Sequence, residues 1–417
     1  MTRRSLAAAT LLLASGACAR PPEVERVSIL VPASERPFWG EVADGFTEAT
    51  GQEVEIIEGP NATDLRESLY TTSLMAGDPS LDVVLMDVTW TPKLAGAGWL
   101  VPLDEAITPE EQAAFLPAAL RAGRVGGRLY RIPVRTDVGV LYYRRDWLAE
   151  AGIAPPRTFE ELEAAARALQ QPPQRWGFVW QGSQYEGLVC MYLEVLRGHG
   201  GFWVDPETLE VGLDGKEAVA ALTFLVRARG EAPISPPGVT TYKEEESRRL
   251  FHDGRAVFLR NWPYVWRLAQ AEGSPIAGKV GVSAMVHAPG QRSVGTLGGW
   301  GLGVSRFSTR PKEALAFIRY AASLPGQRAL CRDSGYAPAL LAAYEDPELL
   351  AANPFLADLR DIHAAAEARP TIPRYALASD VLQRRLSGAL SGVQTAEDAL
   401  RDAARETRAL LGTREDS

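Results

Sequence analysis

The spacing of apolar and polar positions changes period several times along this 417-residue chain. Val27 to Val31 is a short unbroken apolar run, as in a strand buried on both faces, and Phe38, Val42 and Phe46 then recur at the spacing of a helix face. A second strand is expected at Val54 to Ile57, a helix around Leu65 to Met75 and a third strand at Val83 to Met86. This βαβαβ order predicts a parallel sheet covered by helices. Leu129 to Val134 and Val138 to Tyr143 follow as two extended segments with no helix between them, so the chain is expected to leave one lobe there and enter another.

From Thr158 the period is mainly helical, and Thr158 with Glu161 fits a capping box. Helices are expected near Tyr185 to Leu196, Lys216 to Arg229 and Tyr242 to Phe251. Strands resume at Ala256 to Leu259, Val280 to Met285 and Trp300 to Val304, and helical segments fill most of the remainder to Leu411. Strands that stop, give way to helices and resume later predict two α/β lobes, a chain that crosses between them more than once, and a cleft where they meet.

The first eighteen residues follow neither period. Arg3 and Arg4 precede an apolar stretch from Leu6 to Ala14, and Ser15-Gly16-Ala17 leads directly into Cys18. This is the layout of an export signal, too short to cross a hydrocarbon core of about 30 Å, so the remainder works outside the cytoplasm. A cysteine after small residues resembles the bacterial lipoprotein signal, with residues 1–17 removed, Cys18 lipidated and residues 18–24 a tether. Ser15 stands where that signal usually has leucine, and cleavage after Ala19 to give a freely soluble chain is the competing reading.

Composition narrows the function. The formal net charge is −8 and the basic residues are scattered, which argues against nucleic acid as a partner. Apart from Cys18 there are Cys190 and Cys331, which could pair or remain buried thiols. His199, His252, His287 and His363 are isolated, so neither a metal site nor a cofactor is expected. No nucleophile elbow or phosphate loop is present, and the glycines of Gly298-Gly299-Trp300-Gly301-Leu302-Gly303 have the wrong spacing for a dinucleotide turn. Glycoside hydrolysis, which needs two carboxylates, is the enzyme class left open.

What remains is a set of acids and aromatic rings in Gly- and Pro-rich settings. Trp262, in Asn261-Trp262-Pro263-Tyr264, and Trp300, set among glycines, suit stacking on the apolar face of a pyranose, although core packing is the alternative for any tryptophan. Asp87 and Asp137 each adjoin an apolar strand. Asp87 stands at a carboxyl end, where open α/β sheets bind ligands, and a turn or helix cap is its other reading. Arg369 begins a stiff loop, Arg369-Pro370-Thr371-Ile372-Pro373-Arg374-Tyr375, and either meets ligand or pins a helix end.

In order along the chain, the Asp87 segment, Trp99-Leu100-Val101-Pro102-Leu103-Asp104, the Thr136-Asp137 segment, Phe178 to Leu188, the Asn261 segment, Thr296 to Trp300 and the Arg369 loop together resemble the extracellular solute-binding proteins of ABC sugar importers, in particular the trehalose/maltose-binding branch. The resemblance implies a type II periplasmic-binding-protein clamp, two α/β lobes joined by a multi-strand hinge. The expected lobes are 25–135 plus 287–337 and 136–286 plus 338–412. It further implies a binding protein rather than an enzyme, a monomer that captures a disaccharide such as trehalose or maltose and delivers it to membrane permease subunits. Carried over by position, Glu35 and Asp87 meet sugar hydroxyls from the first lobe and Asp137 near the hinge. Tyr185 and Trp262 contribute from the second lobe, Gly299 and Trp300 close one end, and Arg369 caps the pocket. The rival readings are a secreted glycosidase using Asp87 with Asp137 or Glu35, and a binder of another polar solute on the same clamp. The mid-chain crossover argues against the commonest glycosidase barrel.

Overall fold

The computed structural model describes residues 26–412 apart from Pro206, Glu231, Ala232 and Pro373; the signal, the tether and Cys18 lie outside the described residues. The opening βαβαβ unit forms as expected. Strand Val27–Pro32 runs parallel to Val54–Gly59 and to Val83–Asp87, with helix Arg36–Thr50 burying Trp39, Val42 and Phe46. These strands belong to a seven-stranded sheet extended in the antiparallel sense by Thr296–Val304, which lies between Val83–Asp87 and Ile132–Val138. Helices Pro311–Ala322 and Leu324–Cys331 contribute Phe317, Ile318 and Leu330 to its core.

A second sheet of four strands has the order Val280–Ser283, Val140–Arg144, Ala256–Asn261, Trp176–Val179. Successive side chains of Val140–Arg144 point to opposite faces, so Leu141 enters one core while Val140 and Tyr142 enter the other. Helices Phe159–Leu169, Glu186–Gly198, Lys216–Arg229, Tyr375–Leu390 and Ala396–Leu411 pack with this sheet in the core that holds Leu141. The capping box expected at Thr158 and Glu161 is present at the start of Phe159–Leu169. This is the two-lobed α/β clamp.

A single residue, Gly139, separates the strand that ends in the first sheet at Val138 from the strand that begins in the second at Val140. The chain returns to the first sheet at Thr296, and a third crossing passes through Glu367–Ala368 toward helix Tyr375–Leu390. In register, Leu297 faces Val138 on one side and Ala368 on the other, so the three crossings lie side by side. Segment Leu341–Ala364 spans the junction: Tyr344, Leu349 and Leu359 join the first core, and Phe355 packs against Trp266 at 5.5 Å. Cys190 and Cys331 are both free and buried.

Candidate functional site

Sheet register brings three chain-distant residues together. Trp300 is paired with Asp87 on one side and with Arg135 on the other, which places these side chains on one face at the carboxyl end of Val83–Asp87. Gly298 is paired with Asp137 two rows along. Gly299 has φ +127°, and a Cβ there would stand 2.7 Å from the Arg135 carbonyl oxygen, so the strand needs glycine at this point.

The acids are each tied down differently. Glu35, in the short turn after the first strand, accepts from Arg135 at 2.8 Å and from the Trp39 indole at 3.2 Å and is buried. Asp87 Oδ1 accepts from the Thr89 amide at 2.9 Å and hydroxyl at 2.8 Å, which is the turn reading, and also from Arg369 at 3.0 Å. Asp137 forms no ion pair among the described residues and is half-buried; burial pushes its carboxyl up to about 7 against the opposing pull of Arg135.

Arg369 bridges the two lobes. Its second terminal nitrogen donates to Glu186 at 2.8 Å, so one guanidinium joins Asp87 of the first sheet to the N-terminal turn of Glu186–Gly198 in the second lobe. Tyr375 and Ser379 also donate to Glu186, each at 2.5 Å. Burial disfavours the charge on Arg369, but Asp87, Cys190, Tyr375 and Glu186 together outweigh it and hold the pKa above the ordinary arginine range.

The aromatic residues divide. Trp262 is half-buried, donates to Glu244 at 3.3 Å and lies with Arg260 4.1 Å from its ring centre. Its ring edge would be 3.5 Å from a Cβ at Gly298, across the junction between the lobes. Trp300 is only 8% exposed: Arg66 sits 4.5 Å and Arg135 5.5 Å from its ring centre, and Trp90 meets it edge-on at 5.3 Å. It is therefore packed rather than open for stacking, because two guanidinium groups and an indole already use its surface. Tyr185 is half-buried beside Lys243, and its hydroxyl has no partner among the described residues.

Arg66, Arg135 and Glu186 are central here and were not singled out from sequence. Arg66 lies inside helix Thr63–Met75, where an arginine reads as solvated; it is instead 1% exposed, with burial lowering its pKa. Arg135 and Glu186 stand next to singled-out positions, and that adjacency was the available signal. Nε of Arg66, Nε and Nη1 of Arg135 and Nε of Arg369 lack acceptors among the described residues. The site thus combines carboxylate acceptors, spare guanidinium donors and a half-buried indole, the chemistry for holding a polyhydroxylated solute. Among the described residues no group of His, Cys, Asp and Glu could hold a metal ion.

Two α/β lobes, three adjacent crossings and a polar junction between them define a solute-binding clamp. The chain belongs to the bacterial extracellular solute-binding proteins, whose family pattern it matches over residues 32–328. It is 39% identical over 334 residues, 79% of each chain, to a probable ABC transporter-binding protein of Deinococcus radiodurans. A maltotriose-binding protein of Pyrococcus abyssi is 26% identical over 290 residues, 69% of this chain and 60% of the other. Among solved structures, maltose-bound T. maritima MalE3 superposes with a TM-score of 0.88 at 39% identity, covering 93% of this chain and 100% of that one. The protein is therefore an extracytoplasmic binding protein of the ABC importer class and not an enzyme, which removes the glycosidase reading.

Proposed function

We propose that this protein captures a disaccharide of the maltose or trehalose type between its lobes and delivers it to the permease subunits of an ABC importer. In this reading it acts as a monomer tethered to the membrane through a lipid on Cys18, which the mass of the native N-terminus would reveal. The observation that carries the sugar assignment is Trp262, a half-buried ring from the second lobe lying against Gly298 of the first, beside Asp137, whose carboxyl forms no ion pair among the described residues. The bound maltose of the MalE3 structure supports the same ligand class. Glu35, Asp87, Asp137 and Arg369 supply the polar contacts, Tyr185 and Trp262 the rings, and Gly299 the close backbone approach.

Micromolar capture needs about −8 kcal/mol. Hydrogen bonds to charged groups contribute roughly 1.5–3 kcal/mol each before ordering costs, so four or five with one stacked ring suffice. Titration calorimetry with maltose and trehalose tests the reading, with the sugar recovered intact. Trp262→Ala is expected to weaken binding about ten- to a hundredfold, from the roughly 1–3 kcal/mol lost with a large apolar contact. Trp300→Ala is expected to lower the melting temperature more than Trp262→Ala does, because it empties a packed position. No heat with any disaccharide would sink the proposal.

A further inference from the structure

Helix Glu186–Gly198 presents one face to the crossings between the lobes, at positions 186, 190, 194 and 197. Glu186 meets Arg369, the Cys190 carbonyl accepts from the Thr296 hydroxyl at 3.0 Å, and Arg197 donates to the carbonyls of Glu367 at 3.2 Å and Ala368 at 2.6 Å. Glu194, the remaining member of that face, is 1% exposed. Its Oε2 accepts from Arg260 Nε at 2.7 Å and its Oε1 from Arg260 Nη2; the same Oε1 accepts from the Thr296 amide at 3.2 Å. A Cβ on Gly139 would stand 1.8 Å from this oxygen, so the carboxylate occupies the space that a side chain would need at the first crossing.

Arg260 is equally enclosed. Its remaining terminal nitrogen donates to Gln181 at 3.0 Å, and its guanidinium lies 4.1 Å from the centre of the Trp262 ring. One buried ion pair therefore touches the first crossing at Gly139, the second at Thr296, and the underside of the ring assigned to the ligand. A buried pair is poor evidence for stability in itself, since an apolar pair of similar volume often serves as well. Its placement against two crossings and an aromatic face asks for another account.

We propose that Glu194 and Arg260 are positioning residues for solute capture: the pair locks the Trp262 ring to the Gly139 and Thr296 crossings, so that the ring is held at a fixed height against the strand that the opposite lobe brings to it. This rests on the reading of Trp262 as a ligand-facing ring. In the wild-type protein the amide of Thr296 is expected to exchange slowly with solvent, because Glu194 accepts from it in the interior.

The test compares Glu194→Gln with the double substitution Glu194→Leu/Arg260→Met. The single change leaves Arg260 buried without its counter-charge and is expected to lower the melting temperature. The double change is expected to restore much of that melting temperature, yet keep maltose affinity at least about tenfold below wild type and Thr296 exchange faster than wild type. Wild-type maltose affinity in the double variant would overturn the proposal, since the pair would then only fill space. If wild-type protein binds neither maltose nor trehalose, the sugar assignment fails separately. Thr296 exchange in Arg260→Lys, which keeps the Glu194 acceptor, then decides the positioning role, with faster exchange supporting it and unchanged exchange overturning it. Should the double variant not fold, Arg260→Lys, which keeps the charge and loses the fork, is read by the same two measurements.

Discussion

Asp137 shows how much of the site's behaviour one carboxyl sets. Its pKa near 7 lies above the ordinary carboxylate value of about 3.9, so the folded protein holds this proton more tightly than the unfolded chain does. The sign follows: the contribution of this group to stability is present in full below about pH 4 and is lost as pH rises toward 7. Asp137→Asn is expected to remove that part of the stability-pH profile. Maltose affinity is expected to move the other way, rising from pH 5.5 to pH 8 as the carboxylate proposed to accept sugar hydroxyls ionises, and Asp137→Asn is expected to bind more weakly with no such rise. Calorimetry at the two pH values checks this; a wild-type affinity independent of pH would remove Asp137 from the contact set. At this scale the acids were legible, since Asp87 and Asp137 adjoin apolar strands. Arg66 was not: a guanidinium becomes a site group here by packing over Trp300, 234 positions further along the chain, a contact that no local pattern encodes.

The elements followed the periodicity where apolar side chains mark it. The opening strands and helices lie where the pattern places them, whereas strand Thr296–Val304 begins four residues before the expected Trp300. Gly298 and Gly299 lie in that stretch and have no side chain to show alternation. Strand Trp176–Val179 was not expected at all. It is four residues long and broken by Gly177, whose absent Cβ would stand 2.6 Å from Ala166 of helix Phe159–Leu169. Gly139 gives the sharpest prediction for an element. Gly139→Ala is expected to destabilise by about 1–3 kcal/mol, because the new methyl collides with a carboxylate that Arg260 and the Thr296 amide hold in place. Gly40→Ala, in helix Arg36–Thr50 with open space around it, is expected to be neutral or stabilising. Chemical denaturation of both variants measures the difference, and equal effects would mean that Glu194 yields freely.

For the whole molecule the decisive link is Arg369, which ties Asp87 of one lobe to Glu186 of the other. Removing it leaves two carboxylates facing each other with no cation between them. Arg369→Ala is therefore expected to enlarge the radius of gyration of the sugar-free protein in small-angle scattering while retaining the folded secondary structure. An unchanged radius would show that other contacts set the spacing of the lobes. The sequence by itself determined the two-lobe α/β class, because strand and helix periods are local and their interruption marks a crossing. It also singled out Asp87, Asp137 and Trp262, which the fold places at or near strand ends. The tertiary structure alone decided that Trp300 is enclosed by Arg66, Arg135 and Trp90, and that Arg369 spans the lobes. It alone placed a buried Glu194–Arg260 pair beneath the hinge. Each of these depends on which distant segments share a sheet row or a helix face, and that choice is made by packing the whole chain at once, beyond the reach of any local period.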